Sequence, residues 1–386
     1  TWTVLTSQKH LFQIDSGVHY LNNAYRGPQL KSSEEAGISS IIQQRNPFQL
    51  KPTDFFEGVD SVRKLFGKLV NCESSDVAII PSTSYGFSSV LTNLKPKVGG
   101  KAIVVQDEFP SGYFSIARWA RENQATIETI SPDPTSASKG ESWNSALLEA
   151  IDKKTSVVLI SSVHWMSGVK FDLEAIGAKC QKMGAIFIVD GTQSVGAMPI
   201  DVKACQIDAL ICATYKWLLG PYSISIAYIG EKFHDGIPLE ESWMNRVNAR
   251  DFGRLSEYAA EYNPGATRYT VGEAANFVLM PMLQASLNQI LDWTPAAIQN
   301  YSSSLNQPLI DFIARIGGST EPEPFLGQHL FAPLLPKSIN PADLKQELEA
   351  NQIYVSMRGE YLRVSINVFN EAKDITALMH VIEQQL

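Results

Sequence analysis

The chain has no apolar run near the roughly 20 residues that a membrane-spanning helix needs, so a membrane partner is not expected. It has no block of like charge either. Its 32 basic and 40 acidic residues leave a net charge of −8 spread over 386 residues. Without a basic stripe, nucleic acid is not an expected partner. Cysteine is scarce. Cys72, Cys180, Cys205 and Cys212 stand apart, with no CxxC pair and no histidine pairing. That spacing argues against a disulfide framework and a zinc site. Buried thiols in a reducing compartment are expected, which points to the cytoplasm. HExxH, Walker A and GxGxxG patterns are missing, which removes zinc proteases, P-loop NTPases and dinucleotide-binding dehydrogenases. The first residues, TWTVLTSQKH, carry no hydrophobic signal region.

What remains is a globular composition, 44% apolar and 19% charged, long enough for a large core. Short apolar runs alternate with helical periodicity from Val77 to Ile229. That rhythm predicts an α/β fold with a mostly parallel sheet covered on both faces. Helices are expected over Ser32–Gln44 and Phe55–Leu69, and strands at Val77–Ile80, Ala102–Val105, Thr126–Ile130 and Ser156–Ser161. After Gly230 the pattern changes. A helix from Asn276 to Trp293 and another from Ala296 to Ile316 lead into strands near Gly327–Ala332, Ile353–Met357 and Tyr361–Ile366. The expected division is an N-terminal segment (1–19) packing on the small domain, a large α/β domain (20–255) and a small α+β domain (256–386).

One stretch organises the rest: AIFIVDGTQSVGAMPIDVKACQIDALICATYKWLLGP, Ala185 to Pro221. An apolar run, Ile186 to Val189, stops at Asp190. A second, Ile207 to Cys212, stops just before Tyr215 and Lys216. Polar residues at strand ends lie where open α/β sheets bind ligands. Lys216 sits among Tyr215, Trp217, Leu218 and Leu219, which would dehydrate its amine and make it a nucleophile toward a carbonyl. A buried carboxylate such as Asp190 needs a cationic partner, and a protonated pyridine nitrogen is one. A Schiff-base lysine with an aspartate on a pyridinium is how proteins hold pyridoxal phosphate. The competing readings are a solvated surface lysine and an aspartate that only caps a helix.

Phe187-Ile-Val-Asp-Gly-Thr-Gln193 followed by Ala213-Thr-Tyr-Lys-Trp-Leu-Leu-Gly-Pro221 resembles the class V aminotransferase family of fold type I pyridoxal phosphate enzymes. The likeness runs from Tyr20-Leu-Asn-Asn-Ala24 to Arg363-Val-Ser-Ile-Asn-Val-Phe-Asn370. The segment Val163-His-Trp-Met-Ser-Gly168 is similar to the isopenicillin N epimerase-like subgroup. The resemblance implies a homodimer acting on an amino acid. Lys216 carries the cofactor as a Schiff base and takes the Cα proton; Asp190 keeps the ring nitrogen protonated. Gln193 bonds the ring's phenolic oxygen. Thr83 and Ser84, at a strand-to-helix turn, hold the phosphate with Tyr215, although ordinary N-capping competes there. Phe109 stacks on the ring, Trp165 lies beside it, and Arg363 forks onto the substrate carboxylate. Asn23 is a substrate-side candidate or a turn former. His164 is a candidate acid or base, and Arg268 is structural or an anion site.

The chain also departs from the family. Phe109 stands where cysteine desulfurases carry a histidine, in a Phe-Pro-Ser context similar to kynureninase. Glu273 replaces a threonine that reaches the partner subunit's cofactor phosphate in relatives. Met357-Arg-Gly-Glu-Tyr361 reads as a tight turn where desulfurases carry a persulfide cysteine, and no cysteine follows Cys212. The expected activity is a class V aminotransferase. The alternatives are an epimerase or racemase, a kynureninase-like carbon–carbon or carbon–sulfur lyase, and a non-enzymatic cofactor-binding scaffold.

Overall fold

The structure is a computed structural model and describes residues 4–358 and 361–386. The turn expected at Met357–Tyr361 includes Gly359 and Glu360, which lie outside the described residues. A two-residue strand, β1 (His19–Tyr20), precedes two helices, α1 (Lys31–Gln43) and α2 (Asp54–Val70). In α2 the apolar Phe56, Val59, Val62, Phe66 and Val70 recur at helical spacing, and all are buried. The helix stops at Asn71, which takes a left-handed φ of 61°.

Strand and helix then alternate: β2 (Val77–Ile80), α3 (Thr83–Leu91), β3 (Lys101–Val105), α4 (Pro110–Glu122), β4 (Thr126–Ile130), α5 (Lys139–Ala150), β5 (Thr155–Ser161), α6 (Leu173–Met183), β6 (Ile186–Asp190), β7 (Ala209–Ala213) and β8 (Ser225–Ile229). These strands make one seven-stranded sheet in the order β2-β8-β7-β6-β5-β3-β4. The pairs from β4 to β7 are parallel, while β8 runs antiparallel to both β7 and β2. The expected mostly parallel sheet is therefore present. Its apolar runs are continuous because both faces are covered. Val158, Ile160, Phe187 and Val189 enter one core, whereas Val157, Leu159 and Ile188 enter another on the opposite face. Asp172 caps α6 by accepting from Ala175 N at 3.0 Å, and the helix ends at Gly184 with φ 67°.

The remaining elements are α7 (Leu279–Trp293), α8 (Pro295–Arg315), β9 (Leu330–Phe331), α9 (Pro341–Ala350), β10 (Ile353–Tyr354), β11 (Ser356–Arg358), β12 (Tyr361–Ser365) and α10 (Ala372–Glu383). Helix α7 begins three residues later than its periodicity suggests. The Asn276 side chain accepts from Val278 N and Leu279 N and holds the chain outside the helix until there. The strand expected over Ile353–Met357 is two strands in different sheets. β10 pairs in parallel with β1, and β11 pairs antiparallel with β12, which also pairs with β9. Helices α9 and α10 were not read from the sequence.

The C-terminal ends of β5, β6 and β7 align, with Ser161 opposite Asp190 and Asp190 opposite Ile211. This edge carries the site. A packing test lies just below it. Gly177 of α6 rests against the Cys205 carbonyl, and a Cβ there would overlap that oxygen. Gly177→Ala is expected to lower stability by about 1–3 kcal/mol through overpacking, read as a reduced urea midpoint. An unchanged midpoint would mean that the two segments are not in close contact.

Candidate active site

A narrow cleft of about 30 Å³ sits at the strand ends, lined by Thr83, Phe109, Trp165, Asp190, Gln193, Tyr215 and Lys216 among others. These come from seven separate positions in the sequence reading, and the fold brings them together. Asp190 ends β6. Lys216 lies three residues past the end of β7. The chain there is held from below. The Trp217 indole N–H donates to Gln193 Oε1 at 2.9 Å, and Asn23 Nδ2 donates to the Lys216 carbonyl at 3.3 Å. Gly27 N donates to the Tyr215 carbonyl at 2.9 Å. Gly27 also packs on the Lys216 carbonyl so closely that a Cβ would overlap it.

Lys216 is 8% exposed, and Nζ lies 5.7 Å from the ring centroids of both Phe109 and Tyr215. Burial lowers its pKa to about 8. The charges of Arg363 and Arg358 act in the same direction, and only Asp190 opposes them. At neutral pH the amine gives up its proton far more readily than an ordinary lysine. Burial raises the Asp190 carboxyl above its ordinary range, against the hydroxyl and N–H of Thr192 and the charge of Lys216. Thr192 N donates to Asp190 Oδ1 at 3.0 Å. No cation lies within ion-pair distance of Asp190 among the described residues.

Gln193 is oriented by its partners. An indole N–H only donates and a carbonyl only accepts, so Oε1 faces Trp217 and Nε2 faces the Ala24 carbonyl at 3.1 Å. One N–H of that amide is left over. At the start of α3, Ser82 is the cap, and its hydroxyl accepts from Tyr85 N at 3.3 Å. The N–H groups of Thr83 and Ser84 have no acceptor among the described residues, and such a helix start favours an anion. Thr83 lines the cleft, whereas Ser84 meets the Ser82 hydroxyl at 3.0 Å. Tyr215 leans on Tyr222 at 4.7 Å.

These groups fit pyridoxal phosphate: an amine of lowered pKa, a buried carboxylate lacking a cation, an aromatic wall and a helix start with free donors. The wall is built edge to face, with Phe109 and Trp165 at 5.5 Å and 89°. Trp165 Nε1 donates to the Asp107 carbonyl at 2.7 Å. Its own carbonyl accepts from Arg363 Nη1 at 2.8 Å.

Arg363 is 1% exposed. Its Nη2 reaches Ser356 Oγ at 3.4 Å, and its Nε is buried without a partner. Burial lowers its proton affinity, and neighbouring Arg358 adds to the effect. A guanidinium this dry and unpaired is costly unless an anion arrives. Asn23 is placed differently from the other candidates. It is buried beneath Lys216 and accepts from Asn367 Nδ2 at 3.3 Å, outside the lining of the cleft.

His164 is not available as an acid or base. Its Nε2 faces the Gln106 and Asp107 carbonyls at 3.1 Å, so that nitrogen carries the proton. Its Nδ1 accepts from Ser167 Oγ at 3.0 Å. Burial pushes its pKa down to about 4. Arg268 donates to the Gly236 carbonyl at 3.0 Å and covers Tyr262, outside the cleft, and its Nε is buried without a partner among the described residues. Glu273 is exposed, with φ 60°.

Sequence reasoning missed Ser161, Thr192 and the carboxylate beneath them. Glu108 is buried. It accepts from Phe109 N and Ser161 N, each at 2.8 Å, and from the Ser161 hydroxyl. A carboxylate placed directly before a strand-end aromatic was a visible signal. Its partner, 53 residues further on, was not. Burial raises the Glu108 carboxyl to about 7, from an ordinary 4.5, against the donors from Ser161 and Phe109 and with help from Asp190. The folded chain therefore keeps a proton that the unfolded chain releases. Stability attributable to this group falls as pH rises from about 4.5 to about 7, by up to about 1.4 kcal/mol per pH unit. Urea unfolding of wild type and Glu108→Gln between pH 5 and 8 is expected to show that slope only in wild type. Parallel profiles would contradict a buried, titrating Glu108.

Comparisons with known proteins agree with this geometry. The family profile described as aminotransferase class-V matches residues 50–378. An uncharacterised aminotransferase of Bacillus subtilis is 27% identical over 272 residues, 69% of each chain. A kynureninase of Pseudomonas fluorescens is 29% identical over 173 residues, covering 43% of this chain and 39% of its own. A cysteine desulfurase from Thermococcus onnurineus has the same fold, with a TM-score of 0.80 at 19% identity over 98% of each chain. These matches carry the family and not the narrower epimerase-like subgroup. The chain belongs to the class V aminotransferase family and is a fold type I, pyridoxal-phosphate-dependent enzyme acting on an amino acid.

Proposed function

We propose that the chain is a lyase that removes the Cα proton of an amino acid and breaks a bond at Cβ. The observation that carries the amino-acid part is Arg363, a buried guanidinium with an unpaired Nε near Lys216. It suits a bidentate α-carboxylate. The lyase part rests on the likeness to kynureninase and on the Phe-Pro-Ser context of Phe109. A desulfurase-like use of a protein thiolate is not supported. Cys212 is buried in β7, and burial, with Asp190 nearby, raises its thiol well above the ordinary range. Aminotransferase activity is the second reading, favoured by the Bacillus subtilis relative.

In this reading Lys216 Nζ, Asp190, Gln193, Thr83, Ser84 and Tyr215 would hold the coenzyme, flanked by Phe109 and Trp165. When bound, the coenzyme supplies an electron sink for charge at Cα. Lys216 does the proton work. Its amine, unprotonated above about pH 8, takes the Cα proton as general base. Arg363 fixes the α-carboxylate so that the Cα–H bond faces Nζ. Phe109 excludes water and exchanges no protons, so proton return falls to Lys216. A non-enzymatic scaffold would have no use for the Arg363 fork.

We also propose that the protein is a homodimer in the cytoplasm. The exposed Ile38, Ile41 and Ile42 of α1 support the first, and four free cysteines support the second. For domain organisation we place the boundary inside α8 rather than at residue 256. Leu283, Leu287 and Ile290 of α7 share a core with α2, whereas Leu309, Phe312 and Ile313 open the smaller core.

The test is to incubate the coenzyme-loaded protein with a panel of amino acids and no 2-oxo acid. Repeated turnover to a Cβ-cleaved product is expected. Turnover that requires an added 2-oxo acid would establish the aminotransferase instead, and appearance of the mirror-image amino acid would establish a racemase. Arg363→Gln should lower kcat/KM by about 10- to 100-fold, the worth of a charge-assisted hydrogen bond at roughly 1.5–3 kcal/mol. An unchanged kcat/KM would mean that another group binds the carboxylate.

A further inference from the structure

Strands β11 and β12 pair with Ser356 opposite Arg363 and Arg358 opposite Tyr361. Residues opposite each other share a face, as do residues two apart. Ser356, Arg358 and Arg363 therefore line one side of the hairpin. The bond from Arg363 Nη2 to Ser356 Oγ fits that assignment. At one end of this side Arg363 Nη1 holds the carbonyl of Trp165, a cleft residue, and at the other end Tyr361 lies under Lys139.

Arg358 is half-buried, and its one described side-chain bond is to its neighbour's carbonyl, Met357 O, at 3.0 Å. Neither Arg358 nor Arg363 has a carboxylate within ion-pair distance among the described residues. Arg358 is near enough to weigh on both Lys216 and Arg363, lowering the proton affinity of each. The charges can be assigned one by one. Asp190 and the start of α3 serve the coenzyme. Arg363 takes the α-carboxylate. Arg358 is then a further cation near Lys216 and Arg363, with no anion among the described residues.

We propose that the amino acid taken by this site carries a second acidic group on its side chain, bound by Arg358 while Arg363 holds the α-carboxylate. This rests on the amino-acid reading above and names its substrate class. A neutral side chain would leave two arginines facing one carboxylate. An acidic one gives each guanidinium its own partner.

Two measurements separate this proposal from the reaction reading. The first compares the second-order rate constant for Cα-hydrogen exchange with D2O, which needs no leaving group at Cβ, for L-aspartate and L-glutamate with that for L-alanine and L-2-aminobutyrate. A preference of about tenfold or more for the acidic pair is expected. The acidic-to-neutral ratio should fall to near one in Arg358→Gln and invert in Arg358→Glu. Arg363→Gln should lower both rates and leave the ratio standing. The second is calorimetry on the coenzyme-loaded protein with glutarate and succinate against acetate and propionate, which requires no turnover. Dicarboxylates should bind about tenfold tighter to wild type, and that advantage should vanish in Arg358→Gln. If no amine is turned over yet dicarboxylates keep an Arg358-dependent advantage, the reaction reading fails and the acid site stands. If neutral amino acids and monocarboxylates do as well as acidic ones, or if the ratio is unmoved in both Arg358 variants, the proposal is overturned.

Discussion

The structure depends on keeping two basic groups, Lys216 and Arg363, out of water near each other, with the Asp190 carboxylate acting on Lys216 against them. Buried like charges interact far more strongly than in water, so their positions must be enforced. The seven-stranded sheet does half of this by ending β6 and β7 at one edge. The hairpin that carries Arg363 does the other half. A short N-terminal loop joins the halves: Ala24 N donates to Ser365 Oγ, the Ala24 carbonyl accepts from Gln193, and Gly27 N holds the Tyr215 carbonyl. The result is an amine that is readily deprotonated near a guanidinium that has no anion among the described residues. In the proposed reading, that arrangement recruits an amino acid by its carboxylate.

Beneath the cleft lies a polar floor. Glu108 ties the backbone of Phe109 to Ser161, the residue opposite Asp190 in the sheet. Neutral His164 braces the turn whose Asp107 carbonyl holds Trp165. His329 does the same for Gln193, taking its carbonyl through Nε2, with burial holding its own pKa down to about 4. Buried polar groups of this kind are stable because their bonding capacity is used.

The large sheet was legible in the sequence because buried parallel strands make short unbroken apolar runs. Asp190 and Lys216 were legible because each interrupts or follows such a run. Arg363 was reached through the family likeness. Its burial against the Trp165 carbonyl, 198 residues away in the chain, shows only in the fold. Glu108 was passed over because its partner Ser161 is brought near only by β3 and β5 lying side by side. The opposite happened at His164, where residue type suggested chemistry and the backbone carbonyls of Gln106 and Asp107 consume it. In the two smaller sheets, β9 and β10 are two residues long; strands were expected at both places, but such short elements do not show their bounds or partners in the sequence.

The central claim is that the desolvated amine of Lys216 is the coenzyme's anchor. The direct measurement is to load the protein with pyridoxal phosphate, reduce it with borohydride, digest it and identify the lysine that carries the pyridoxyl group. The account predicts modification at Lys216 alone, lost in Lys216→Ala. Modification at another lysine, or none in a protein that binds the coenzyme, would contradict it.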